Sequence, residues 1–272
     1  MVNRVIDGAI VVADTVTKLG PECDGKVVLG ASHGGVYAAY LAVKARARGI
    51  ILNDAGRAKD DSGIGGGAYC QNLEVPFATT DTMSCQIGNG ESAAADGVIS
   101  FANPLAEKLG VVIGMAAMEA ARLMMSAERS NKAVPTYVEA RKQLPTGPGE
   151  RMIVLMDSIS LVTDEDVGRI VVSGSHGGVP SPAPIAALRV DAFAGFFHDA
   201  GGGKNGGALG RLSPLDGRGI IAGTVACMSA RIGDGESIYR DGILSHVNET
   251  AKAAGGAVGT PAKKFIDSLV RK

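Results

Sequence analysis

Two stretches decide the fold of this chain: Val11–Gly35, VVADTVTKLGPECDGKVVLGASHGG, and Val154–Gly178, VLMDSISLVTDEDVGRIVVSGSHGG. Each runs Asp, a hydroxyl residue, a basic residue, an apolar pair, then Ser-His-Gly-Gly. Ser32 falls on Ser175 and Asp14 on Asp157, an offset of 143. Further blocks follow in the same order at an offset of 145. ILNDAGRAK (51–59) matches FFHDAGGGK (196–204), so Asp54 pairs with Asp199 and Lys59 with Lys204. MSCQIGNGES (83–92) matches MSARIGDGES (228–237) at seven of ten positions, and DGVISFANPLAEKLG matches DGILSHVNETAKAAG. Four blocks in one order with one small gap mark a tandem duplication. Its period is far above the roughly 20–50 residues of a solenoid.

Within one copy, Ala9–Ala13, Lys26–Leu29, GIILNDA and VPFATTDT are short apolar runs bounded by polar residues, the pattern of buried strands. VYAAYLAVKARARG after Gly34-Gly35 reads as a helix, with the basic last turn that its dipole favours. Ser92–Ala95 or Ala102–Leu109 supplies further helix. In copy two, Pro180, Pro182 and Pro184 delay the first helix, because proline is tolerated only in a first turn. The expected fold class is α/β: a tandem duplication of a Rossmann-like αβ unit with mostly parallel sheets, related by a pseudo-two-fold. The expected organisation is a first repeat over 1–115, a helical connector over 116–149 and a second repeat over 150–272.

Composition narrows the function. The formal net charge is −1, with no like-charge run, which argues against a nucleic-acid partner. No apolar run approaches the roughly 18–20 residues of a membrane span, and the N-terminal stretch carries Asp7 and Asp14 without a signal-peptide cleavage pattern. The expectation is therefore a cytoplasmic protein without a membrane partner. Cys23, Cys70, Cys85 and Cys227 lack CxxC spacing, so neither a structural zinc site nor a disulfide framework is expected. GASHGG also lacks the G-x-G-x-x-G spacing of a dinucleotide fingerprint. The 39 glycines are about twice the usual share of roughly 7%. They cluster after apolar runs, as tight turns around a ligand would. Halves this small and poor in aromatics are expected to oligomerise.

The shared motifs fall after strands, where open αβ sheets bind ligands. Ser32-His33-Gly34-Gly35 and Ser175-His176-Gly177-Gly178 put backbone N–H groups and a helix start around a small anion or oxyanion. Gly30-Ala31-Ser32-His33-Gly34 satisfies G-x-S-x-G and resembles the nucleophile elbow of α/β-hydrolases, with GIILNDAG similar to a strand that follows the elbow there. The resemblance covers Gly30 to Gly56 and implies Ser32 as nucleophile. Copy two departs from it, with Ser173 in place of the first glycine.

Asp54 and Asp199 can orient a histidine, and Lys59 and Lys204 can stabilise an oxyanion or act as bases. Ser84, Ser229, Arg231, Asp14 and Asp157 complete the expected substrate-binding set, Arg231 as a carboxylate clamp. His198 and Arg231, which stand where copy one has Asn53 and Gln86, favour copy two as the working site. The expectation is a hydrolase of an amide, ester or ring bond in a small polar carboxylate-bearing metabolite. A metal- or Lys-assisted lyase or isomerase, and a small-anion binding or assembly subunit, are the alternatives.

Overall fold

The computed structural model describes residues 3–179 and 187–271. The chain divides into two compact units. Unit one holds the residues up to Arg57, Asp61–Tyr137 and Gly202–Gly207; unit two holds Ala58–Asp60, Val138–Gly201 and the residues from Ala208 on.

Unit one is built on six strands: β1 (Arg4–Ile6), β2 (Ile10–Ala13), β3 (Val27–His33), β4 (Gly49–Asn53), β5 (Phe77–Thr80) and β6 (Ile99–Ala102). They lie side by side in chain order. The inner pairs β2/β3, β3/β4 and β4/β5 are parallel, and the outer pairs β1/β2 and β5/β6 antiparallel. Helices α1 (Val36–Lys44) and α2 (Gly66–Asn72) cover one face; α3 (Gly90–Asp96), α4 (Pro104–Lys108) and α5 (Ala117–Met124) cover the other. Alternation along each strand feeds both layers. Ile10, Val12, Leu29 and Ile51 pack with α3–α5, while Val11, Val28, Ile50 and Leu52 pack with α1 and α2. A strand buried on both faces needs an unbroken apolar run, and for that reason IVVA carries no polar residue and GIILN only its last, Asn53.

Unit two repeats the plan. Its strands are β7 (Arg141–Leu144), β8 (Ile153–Met156), β9 (Ile170–His176), β10 (Ala194–His198), β11 (Ile221–Val225) and β12 (Leu244–Val247), in the same neighbour order and with the same orientations. Its helices are α6 (Leu212–Asp216), α7 (Gly235–Asp241), α8 (Glu249–Ala253) and α9 (Ala262–Leu269). The duplicated, mostly parallel αβ architecture is thus present in two similar units. Three strands extend the sequence reading: β1, β6 and β7, with β12 as the copy-two partner of β6. All four are edges. Pro180, Pro182 and Pro184 lie outside the described residues.

Helix α5 packs on the sheet of unit one through Ala117, Ala120, Ala121 and Met124, whereas β7 joins the sheet of unit two. Among the described residues no helix is long and apolar enough to cross a membrane.

Candidate functional site

Three adjacent strands of each sheet deliver the shared motifs to one end. In unit one, β3 ends at His33, β4 leads into Asp54, and β5 leads into Thr82; His33 and Asn53 are in register. In unit two the same positions hold His176, Asp199 and Cys227, with His176 in register with His198.

The serines lie inside the strands. Ser32 is the penultimate residue of β3 and is buried, and its Oγ accepts the N–H of Val16 at 3.0 Å. Ser175 Oγ accepts the N–H of Ile159 at the same distance. Each hydroxyl thus braces the 3-10 turn that follows the neighbouring strand. The strained, outward turn of a nucleophile elbow is not formed at either residue. The helix after Ser32 is capped by Gly35, without a side-chain cap.

The histidines have a fixed tautomer. His33 Nδ1 accepts the N–H of Gly35 at 3.2 Å, and His176 Nδ1 accepts that of Gly178 at 3.1 Å. A nitrogen that accepts cannot carry the proton, so the neutral ring bears it on Nε2. Both rings are half-buried donors at strand ends. The glycines serve packing: a Cβ on Gly34 would lie 2.6 Å from the carbonyl oxygen of Gly63, one on Gly177 2.6 Å from that of Ala208, and one on Gly35 2.8 Å from His33 Nδ1.

Asp54 opens a turn of unusual hand. Its Oδ1 accepts the N–H groups of Gly56 at 2.9 Å and Thr82 at 3.0 Å. Burial pushes its carboxyl above the ordinary value, against hydrogen bonds from Ser100, Gly56 and Thr82 that pull it down. Ala55, Gly56, Arg57 and Ala58 then all have positive φ, between 51° and 68°, as do Asp60 and Asp61. Copy two repeats this with Ala200, Gly201, Gly202, Gly203, Asn205 and Gly206, and Asp199 Oδ1 accepts the N–H of Gly201. Each non-glycine residue in this region costs about 1–2 kcal/mol. Copy one holds five such residues and copy two holds two.

The turns carry the lysines into units other than those expected. Lys204 lies in unit one, where its N–H donates to Thr82 O at 2.9 Å and its Nζ pairs with Asp96 at 2.9 Å. Lys59 lies in unit two, its N–H on Ala230 O and its Nζ 3.0 Å from Asp241. Lys204 therefore belongs with Ser32, His33 and Asp54, and Lys59 with Ser175, His176 and Asp199. The acidic partners Asp96 and Asp241 were within reach of sequence reading, since both open the last matched block.

The remaining residues take structural roles. Asp14 Oδ1 accepts the N–H of Gly90 at 2.8 Å, and Asp157 Oδ1 that of Gly235 at 3.3 Å, so both cap the start of the helix in the IGxGES motif. Ser84 Oγ donates to Asp81 O and accepts Val98 N–H; Ser229 Oγ donates to Ala226 O and accepts Ile243 N–H. Arg231 pairs with Asp60 at 2.8 Å, half exposed.

His198 is fully buried. Its Nδ1 accepts Ala200 N–H at 2.9 Å, its Nε2 donates to Ala230 O at 3.0 Å, and burial lowers its pKa. The two residues that favour copy two in the sequence are therefore a core histidine and a surface ion pair. Sequence reading also missed Arg211, which stands where copy one has Gly66. Its N–H donates to Gly177 O and its Nε to His176 O, its guanidinium covers Phe197, and burial brings its pKa down to about 10.

Among the described residues no three His, Cys, Asp or Glu side chains gather as metal ligands would. Compared with protein families, curated proteins and solved structures, the chain matches none.

Proposed function

We propose that the chain is an enzyme of the lyase or isomerase class, acting on a small, polar, carboxylate-bearing molecule at the strand ends of unit one. One observation carries the reading: the half-buried imidazole of His33, whose Nδ1 accepts the Gly35 N–H, stands at the end of β3, beside a strand that leads into the buried carboxyl of Asp54. A base at Nε2 would need the opposite tautomer, which the Gly35 N–H disfavours. His33 is therefore a donor, suited to polarising a substrate carbonyl or carboxylate oxygen without giving up its proton. Asp54, as carboxylate, takes a proton from the carbon next to that carbonyl to leave an enolate, and returns it to that carbon or to the far end of a conjugated double bond, so that each C–H bond broken is matched by one formed. The charge that develops on oxygen is met by His33 Nε2–H. Lys204, half exposed, exchanges Asp96 for the substrate carboxylate.

The hydrolase reading has weaker support, because both serine hydroxyls are occupied as braces and no histidine of the motif offers a basic nitrogen. The four cysteines are free thiols, which supports the cytoplasmic placement. Assembly into homo-oligomers remains part of the reading.

Exchange of substrate C–H for deuterium, followed by NMR across a panel of hydroxy- and oxo-acids, tests the proposal. Turnover that His33→Ala lowers by about 10²–10³ and His33→Gln partly restores is the expected result. Covalent labelling of Ser32 or Ser175 by a serine-directed reagent, with loss of activity, would instead make the chain a hydrolase.

A further inference from the structure

We propose that an apolar corner of unit one docks onto the corresponding corner of unit two of a second copy of this chain. Large apolar side chains stay exposed at the same three places in both repeats: Met83 (59%) and Met228 (66%), Val98 (37%) and Ile243 (36%), Ile113 (71%) and Val258 (64%). All three pairs keep the offset of 145. A single exposed apolar residue needs no explanation, but three that persist together through the divergence of two repeats mark a surface that is covered.

The three positions form one corner in each unit, held by the same bonds. Ser84 Oγ ties Val98 N–H at 3.0 Å, Val98 bridges Ala116, and Gly114 N–H reaches Ile99 O at 2.8 Å, so the residue after Met83, the start of β6 and the turn carrying Ile113 are joined. In unit two Ser229 ties Ile243 N–H at 3.0 Å, Ile243 bridges Pro261, and Gly259 N–H reaches Leu244 O at 2.8 Å. This accounts for the recurrence of Ser84 and Ser229, which the site does not use.

Charge identifies the occupant. Exposed residues on the helices next in sequence to the two corners have opposite signs at equivalent positions: Glu107 in α4 corresponds to Lys252 in α8, which pairs with Glu249, and Glu119 in α5 corresponds to Lys264 in α9. Glu119 lies in the first turn of its helix, as the dipole favours; Lys264 lies in the first turn of α9 against that preference. Pairing two unit-one corners would set Glu119 against Glu119. Pairing unit one of one copy with unit two of another sets carboxylates against ammonium groups around an apolar centre, the usual anatomy of an interface. Met83 and Met228 add side chains that adapt to an opposing surface.

The proposal rests on the homo-oligomer reading and adds the surface. Light scattering on the full chain at about 50 μM should give a mass above that of one chain. Ile113→Asp and Val258→Asp, both on exposed turns, should each shift it toward the monomer with an unchanged far-UV spectrum. Glu119→Lys should weaken association about tenfold, and Glu119→Lys combined with Lys264→Glu should restore it. A wild-type chain that stays monomeric overturns the surface and the oligomer together. An oligomer indifferent to Ile113→Asp and Val258→Asp overturns the surface alone. A charge swap that restores nothing overturns the pairing of unit one with unit two.

Discussion

Asn53 and His198 stand at the same place in the two repeats and do the same work: Asn53 Oδ1 accepts Ala55 N–H at 2.9 Å, and His198 Nδ1 accepts Ala200 N–H at 2.9 Å. Each holds the first residue of a left-handed turn against the end of its strand. Each also bonds the same matched place across its sheet, Asn53 Nδ2 donating to Cys85 Sγ at 3.7 Å and His198 Nε2–H to Ala230 O at 3.0 Å.

That equivalence predicts a graded response at position 198. His198→Asn keeps the Ala200 acceptor and should cost about 1–2 kcal/mol, whereas His198→Ala removes the core bonds to both Ala200 N–H and Ala230 O and should cost about 3–4 kcal/mol. Burial holds the folded-state pKa of His198 below its ordinary value of about 6.5. The unfolded chain therefore binds the extra proton first. This contribution to stability is complete above pH 6.5 and is lost as pH falls from there toward the lowered folded value. Urea titrations between pH 8 and pH 5 should show the slope in the wild type and a flatter one in His198→Asn. Equal slopes would show that another group is responsible.

Asp54→Asn should separate stability from activity. Burial raises the Asp54 carboxyl, so the folded state holds its proton more tightly than the unfolded chain. The favourable contribution is present below about pH 3.8, the ordinary value, and fades as pH rises through the raised folded value. At pH 7 the ionised form weighs against the fold. Asparagine retains the acceptor for Gly56 and Thr82, so stability at pH 7 should be unchanged or higher by up to about 1 kcal/mol. Turnover should fall by about 10² or more. Full activity in this variant would confine Asp54 to its turn.

Copy two supplies a remedy for the strain in copy one. Arg57 and Ala58 have positive φ where copy two has Gly202 and Gly203. Glycine loses more chain entropy on folding but removes about 1–2 kcal/mol of strain per residue. Arg57→Gly with Ala58→Gly should therefore raise the unfolding free energy by about 1 kcal/mol, read as a higher urea midpoint at constant slope. A lower midpoint would mean that these side chains hold the turn.

Ser32→Ala removes the acceptor for a buried N–H, that of Val16, and should cost about 1–2 kcal/mol. Ser175→Ala should do the same through Ile159. Turnover of the folded fraction should stay within a few-fold of wild type. A collapse of about 10³ without a change in melting temperature would mark the serine as a nucleophile.

The duplication, the central strands and their connecting helices were legible because buried strands leave apolar runs and repeats leave matched residues. The edge strands were hidden. β7 reads RKQL, a polar run facing solvent, and β1 has one partner and three residues. Recurrence of a motif proved ambiguous in kind: Ser32 with Val16, Asp14 with Gly90 and Ser84 with Val98 recur because each repeat must brace the same fold. The destinations of Lys59 and Lys204 could not be read locally, since the four residues between Asp54 and Lys59 are the same in number whichever unit the turn completes.

Segments 58–60 and 202–207 complete the unit built mainly by the other repeat, so residues of both repeats meet within each unit. Unit two pairs Arg231 with Asp60. At the matching places unit one has Gln86, packed against Gly207, and Asn205, which carry no charge. The substitutions thus sort into compatible partners across the repeats, one charged and one neutral. A chain with two first repeats would set Gln86 before Asp60, and one with two second repeats would set Arg231 before Asn205. Replacing either repeat by a second copy of the other would therefore leave one of these two exposed charges without its opposite.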